Sequence, residues 1–382
     1  MPLRHRTPLS LLFALTLSLA ACANTKGSAD ATDTAAVADT ATDTVEAEAD
    51  SGQVADTAVD SSDGDAKDAA PDPVSLRVAT YNASLYRDSR GQLAADLKGG
   101  EDRQAKRVAQ LLQRVRPDVV LVNEFDRDPD GEPARIFAEQ YLAVGQSGAE
   151  PIDYPYRYAP ETNTGEHSGV DLNNDGRAVS EPGSGAYGND AYGYGEFPGQ
   201  YGMVIYSRYP IASGRVRSFR ELKWESMPDS LMPTDWYSGE AVEAMRLSSK
   251  NHVDVPVDVG GHILHLLASH PTPPSFDGQE DRNGRRNHDE IRFWSDYVAG
   301  GEEAGYIRDD SGGSGGLADG ARFVVLGDLN NDPNDGNSRH SAIADLLAHD
   351  RVTDPSPRSA GARQAGDSDG GANRSHEGDH AL

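Results

Sequence analysis

The sequence predicts an α/β domain built from two packed sheets with helices outside, preceded by a long N-terminal segment that stays out of the fold. Three observations predict it. Short continuous apolar runs recur through residues 76–382, each ending in polar or charged residues. Helical periodicities separate those runs, and buried strands alternating with amphipathic helices imply layered packing. The residues before 76 divide instead into an apolar leader and an acidic low-complexity stretch.

The leader opens with Arg4, His5 and Arg6, followed by "PLSLLFALTLSLAA" and Cys22. A basic start, an apolar run too short to span a bilayer and small residues at its end make residues 1–21 a secretory signal. The ending "LAAC" has the form of a bacterial lipobox, so Cys22 is expected to become the lipidated first residue of the mature chain. It is the single cysteine, which leaves no internal disulfide to form. An N-terminal lipid anchor would hold the protein to the membrane on the extracytoplasmic side of a bacterial envelope, facing the periplasm or the cell surface.

Residues 22–75 are rich in Ala, Asp and Thr and hold no aromatic side chain. From Ala23 to Ser75 there are 13 acidic residues against Lys26 and Lys67. Such a composition cannot bury enough apolar surface to offset ordering entropy, and its like charges extend it. It reads as a tether.

About 300 residues remain, enough for one large core, and they are expected to act as a monomer. Their formal charge is −18 of the −27 carried by the whole chain. That balance opposes non-specific attraction to polyanions and argues against duplex DNA, where a basic stripe is expected.

In chain order, the expected strands are "SLRVATYN" (75–82), "DVVLVNEFD" (118–126), "YGMVIYSRYPI" (201–211), "HILHLLASHPTPP" (262–274) and "RFVVLGDLNNDP" (322–333). Continuous apolar runs of this length suit strands covered on both faces. Between them, residues 101–118 place Val108, Leu111, Leu112 and Val115 at helical spacing, and Pro117 stops the run. Residues 287–298 place Ile291, Trp294 and Val298 on one helical face, and residues 340–350 do the same with Ile343, Leu346 and Leu347. The Gly-, Asn- and Tyr-rich span 145–200 reads as a long ordered loop, and "SGGSGG" (311–316) as a flexible one.

Four of the strands end in groups able to hold a metal or a phosphate: Asn82, Glu124, His270, and Asp328 with Asn330. One such ending is an ordinary turn. Four on separate strands point to a site at the strand ends, where rigid scaffold meets loop.

Taken in order, "RVATYN", "VVLVNEFD", "YGMVIYSRYPI", "LASHPTPP" and "VVLGDLNNDP" resemble the motifs of the endonuclease/exonuclease/phosphatase superfamily, the deoxyribonuclease-I-like fold. The resemblance implies a four-layer α/β sandwich of two mixed sheets flanked by helices. It also implies hydrolysis of a phosphoester with Mg²⁺ or Mn²⁺; the substrate would be a nucleic acid, a nucleotide or a phospholipid headgroup. By the same resemblance, Glu124 is the main metal carboxylate and Asn82 supports it. Asp328 and Asn330 would orient the attacking water and hold a phosphoryl oxygen, and His270 would contact the scissile phosphate. A hard Mg²⁺ needs only one or two carboxylates, because it keeps most of its waters.

The family also ends in an Asp-His pair on a last strand. Here no apolar strand follows Asp354, and Asp379-His380 sits in a Gly- and Ser-rich run two residues from the end. That pair reads as a decoy, and the domain as incomplete at its C-terminus. A catalytically impaired surface protein that keeps the fold and metal site is therefore the rival to a hydrolase.

A second metal signal is "DLNNDGRAVSEP" (171–182), where Asp171, Asn173, Asp175 and Gly176 match the opening of a Ca²⁺ loop. Its twelfth position is Pro182, with Glu181 one residue early, and a plain Asn-Gly turn fits the stretch equally well. The aromatic run 185–202 suits a wall facing the substrate, and its glycines and tyrosines equally suit an ordered loop packing on itself.

Overall fold

A computed structural model of the chain describes Ala21–Cys22 and residues 74–336, 338–356, 360–361 and 363–364. The tether, the leader before Ala21 and the Asp379-His380 pair lie outside the described residues.

The strands are β1 (Ala21–Cys22), β2 (Val78–Leu85), β3 (Val119–Phe125), β4 (Tyr156–Tyr158), β5 (Met203–Ser207), β6 (Arg217–Ser218), β7 (His252–Val259), β8 (His262–Ser269) and β9 (Arg322–Gly327). The α-helices are α1 (Gln92–Leu97), α2 (Arg103–Val115), α3 (Glu132–Phe137), α4 (Gly185–Asn189), α5 (Gly239–Ala244), α6 (Arg282–Ala299) and α7 (Ser341–Ala348). One sheet has the order β2-β3-β5-β4 and the other β1-β9-β8-β7-β6. Both are mixed: β2 runs parallel to β3 and β8 parallel to β9, while β3–β5 and β7–β8 are antiparallel.

Alternation within each strand builds the layers. Val119, Leu121, Met203 and Ile205 of the first sheet pack on Val253, Val255, Val257, Leu266, Ala268, Val324 and Leu326 of the second. The odd-even partners face outward. Val120, Val122, Val204 and Tyr206 meet α1, α2 and α3. Leu267, Phe323 and Val325 meet α6 and α7. Each such side chain removed from water contributes roughly 1.5–3 kcal/mol, so three apolar layers outweigh any single polar contact. The result is the four-layer α/β sandwich that the sequence predicted.

The helices obey their caps more closely than their apolar spacing. In α2, the Asp102 carboxylate accepts the Ala105 amide at 2.7 Å, and left-handed Arg116 (φ 53°) ends the helix before Pro117. Its buried face is Ala105, Val108, Ala109 and Leu112. Leu111 and Val115, expected in the core, are the exposed pair. Two alanines allow α2 to lie close on the sheet, which turns the larger residues outward. The expected strand over 262–269 is only half of a hairpin: β7 precedes it, and its "VDVPVDV" alternates apolar and polar residues instead of running continuously.

Among the described residues, no helix is long and apolar enough to cross a membrane.

Candidate active site

Parallel pairing brings the C-terminal ends of strands together, and this chain does so twice. In the first sheet, Asn82 on β2 lies opposite Asn123 on β3, beside Glu124. In the second, Ser269 on β8 lies opposite Gly327 on β9, so His270 and Asp328 follow side by side. The two pairs meet at a common edge, where Asn82 Nδ2 donates to Asp328 Oδ2 at 3.0 Å across the gap between sheets. The sequence placed Asn82, Glu124, His270, Asp328 and Asn330 in one site, and the structure brings all five to that edge.

Backbone strain shapes two of them. Glu124 (φ 55°) and Asn330 (φ 52°) both adopt the left-handed region, which costs a non-glycine residue about 1–3 kcal/mol. At Glu124 the turn interrupts the alternation of β3. Its carboxylate, half-buried, acts electrostatically on Tyr86 and Tyr201 and on Lys250 just ahead of β7. Asn330 closes an Asx turn, its amide N–H donating to Asp328 Oδ1 at 3.2 Å, while its Nδ2 donates to the Pro271 carbonyl at 3.0 Å. Asp328 is thus held by Asn82 from one sheet and by Asn330 from its own loop.

His270 is 3% exposed, and its Nε2 lies 4.0 Å from Asp328 Oδ2. Burial and the Lys250 charge push its imidazole well below the ordinary histidine range. It is therefore neutral at pH 7, a hydrogen-bonding group rather than a cation. Asn123, fully buried beside Glu124, has both amide atoms without a hydrogen-bond partner among the described residues. Asp126 accepts the Arg87 and Tyr201 amides at 2.7 and 3.1 Å, yet burial raises its carboxyl to about 7.

Around this edge lies support that sequence reasoning missed. Glu290 on α6, completely buried, accepts Ser249 N–H at 2.6 Å, Ser249 Oγ–H at 2.8 Å and Thr272 N–H at 2.7 Å. Asn287, one turn earlier, donates to the Thr272 and Leu329 carbonyls at 2.8 and 2.9 Å and accepts from Asn331 Nδ2 at 2.8 Å. One helix thereby ties down the loops after β8 and β9. The signal was present: Asn287 and Glu290 stand four residues before Ile291 and Trp294, on the stripe that must be buried.

The other predicted features fall elsewhere. In the Asp171 loop, Asp171 accepts the Asn173 and Gly176 amides, Asn173 accepts Asp175 N–H, and Asp175 accepts Arg177 N–H. The stretch folds as a chain of Asx turns, a geometry that suits either reading, and buried Asp190 secures it by accepting Leu172 and Val179 N–H. The aromatic run is divided. Tyr187 and Phe197 are core residues, Tyr192 stacks under Arg246 at 3.9 Å, and Tyr201 meets Tyr86 at 4.6 Å beside Glu124.

Among the described residues, no three His, Cys, Asp or Glu side chains cluster as a metal site. The donors at the strand ends are instead carboxylate and amide oxygens, dominated by Glu124. That set suits Mg²⁺ or Mn²⁺ held by one carboxylate and an amide with its waters, and does not suit zinc.

Two mixed sheets that meet at an oxygen-rich cluster of strand ends define a four-layer α/β sandwich with its site at one edge. A model of the Endonuclease/Exonuclease/phosphatase family matches residues 79–380, and the chain belongs to that family. Similar solved structures include an endonuclease/exonuclease/phosphatase from Beutenbergia cavernae, at 21% identity and a TM-score of 0.39 over 72% of this chain. The match spans 53% of the Beutenbergia chain. A sphingomyelinase C from Streptomyces griseocarneus is 18% identical, with a TM-score of 0.37 over 73% of this chain and 70% of its own. Beta toxin of Staphylococcus aureus is 16% identical, with a TM-score of 0.36 over 73% of each chain. No curated protein matches the sequence.

Proposed function

We propose that the chain is an extracytoplasmic, metal-dependent phosphodiester hydrolase, anchored as a monomer through lipidated Cys22. The observation that carries the catalytic reading is the Asn82–Asp328 hydrogen bond, which joins the two sheets where Glu124, His270 and Asn330 gather. Glu124 with Asn82 would hold Mg²⁺ or Mn²⁺. When bound, that ion supplies positive charge to a phosphate oxygen. The chain's own groups do the rest. Asp328, fixed on both oxygens, orients a water and takes up its proton. Asn330 and neutral His270 hydrogen-bond the phosphoryl oxygens as charge builds on them. A water oxygen bonds to phosphorus, the ester P–O bond breaks, and the leaving oxygen is protonated.

The experiment is hydrolysis of bis-p-nitrophenyl phosphate with and without Mg²⁺, Glu124→Ala serving as control. Metal-dependent turnover lost in that variant supports the proposal. Metal binding without turnover would instead favour the impaired surface protein. Parallel assays on DNA, RNA and sphingomyelin would identify the substrate class.

A further inference from the structure

A lysine that the catalytic scheme does not use lies at the same edge. Lys250 stands two residues before β7, and continuing the register His252–Ser269 sets it beside His270 and Pro271. It is 7% exposed, an unusual state for a lysine without a closed ion pair. Its backbone is fixed, since its carbonyl accepts Asn163 N–H at 2.8 Å and the preceding Ser249 is held by Glu290. Among the described residues no carboxylate closes on its ammonium as an ion pair.

The carboxylates near it are engaged elsewhere. Glu290 takes the Ser249 and Thr272 amides, and Asp328 takes Asn82 and the Asn330 amide. Their charges act on Lys250, as does that of Glu124 from the opposite sheet. Burial opposes its charge, and Arg286 repels it. The ammonium is not among the enclosed groups that lack a partner, so it keeps contact with solvent at this edge, where a ligand oxygen bearing negative charge could take the water's place. Unpartnered Asn123 lies on the same edge.

We infer that Lys250 is a phosphate-binding residue of this site, donating to a non-bridging oxygen of the substrate and of the phosphate product. The inference rests on the proposed phosphoester chemistry, and it supplies the cation that neutral His270 does not. Lysine suits the task as a compact point charge on a flexible stem.

The test is the affinity of the metal-free protein for inorganic phosphate, measured by calorimetry in EDTA for wild type, Lys250→Met and Lys250→Arg, together with each melting temperature. Loss of a charge-assisted hydrogen bond should weaken phosphate binding about 10- to 100-fold in Lys250→Met. Lys250→Arg should keep most of the affinity. Lys250→Met should melt at or above the wild-type temperature, because it removes a charge that burial opposes. Unchanged phosphate affinity in Lys250→Met, equal loss in Lys250→Arg, or a wild type that does not bind phosphate would each overturn the inference. So would a lower melting temperature in Lys250→Met with phosphate affinity kept, the mark of a structural lysine. Because this assay needs no turnover, a protein that binds phosphate through Lys250 but hydrolyses nothing would refute the hydrolase reading alone.

Discussion

At the scale of single residues, the site depends on a few side chains held in uncommon states. Glu124 sits in left-handed backbone at the end of β3, and its carboxylate is the one proposed to hold a metal. Replacing it with Gln keeps the shape and removes the charge. Metal-dependent kcat/KM on a chromogenic phosphodiester should fall about 10²- to 10³-fold, with the melting temperature nearly unchanged. His252 offers a separate reading of pH. It is completely buried, its Nε2–H donating to the Glu290 carbonyl at 2.8 Å while Ser248 Oγ lies 2.9 Å from Nδ1. Burial lowers its pKa from 6.5 to about 3. The folded protein therefore keeps it neutral while the unfolded chain protonates below 6.5. Its contribution is full above that pH and is lost as pH falls toward 3, at up to about 1.4 kcal/mol per pH unit. Urea unfolding between pH 4 and 7 should show a shallower acid decline for His252→Gln than for wild type.

At the scale of elements, α6 is the support on which the site rests. Asn287→Ala would strand the buried Leu329 carbonyl and the half-buried Thr272 carbonyl and take one acceptor from Asn331, at about 1–3 kcal/mol for each buried group left unpaired. Thermal unfolding should register that cost, and kcat should drop more than KM changes, because the loops carrying His270 and Asn330 lose their anchor. The long loop before β5 is similarly constrained at Gly193, where a Cβ would come within 1.7 Å of the Ser249 carbonyl. Gly193→Ala should destabilise the protein by about 1–3 kcal/mol and open residues 161–202 to limited proteolysis. These elements also show what the sequence could disclose. Strands β3, β5, β8 and β9 were legible because they are largely buried, leaving continuous apolar runs that end where the chemistry starts, and β2 because its residues alternate. Strand β7 was not, since Asp254, Pro256 and Asp258 interrupt it, and buried Asp254 is explained only by His265 and Tyr297 from distant parts of the chain. Lys250 was lost with β7. The buried face of α2 was misjudged because spacing does not say which of two adjacent stripes lies closer to the sheet. Asn287 and Glu290 read as helix surface until the packing partner of that stripe is known.

At the scale of the whole molecule, charge sets how a substrate arrives. A formal charge of −18 over residues 76–382 should repel an approaching polyanion while hardly affecting a small diester. Raising salt from 20 to 200 mM shortens the screening length about threefold, so kcat/KM on an oligonucleotide should rise relative to that on bis-p-nitrophenyl phosphate. A ratio that falls with salt would place a basic contact surface on the protein.

The hydrogen bond from Asn82 to Asp328 has one more consequence. Its two ends belong to different sheets, so the spacing of the reactive groups is set by how the sheets rest on each other. The valine and leucine layer between them acts as a gauge block for the chemistry. One residue of slip along a strand is about 3.3 Å, longer than the contact that joins the halves. Trimming Val255 or Leu326, far along the strands from any reacting atom, would alter the tolerance to which the site is machined.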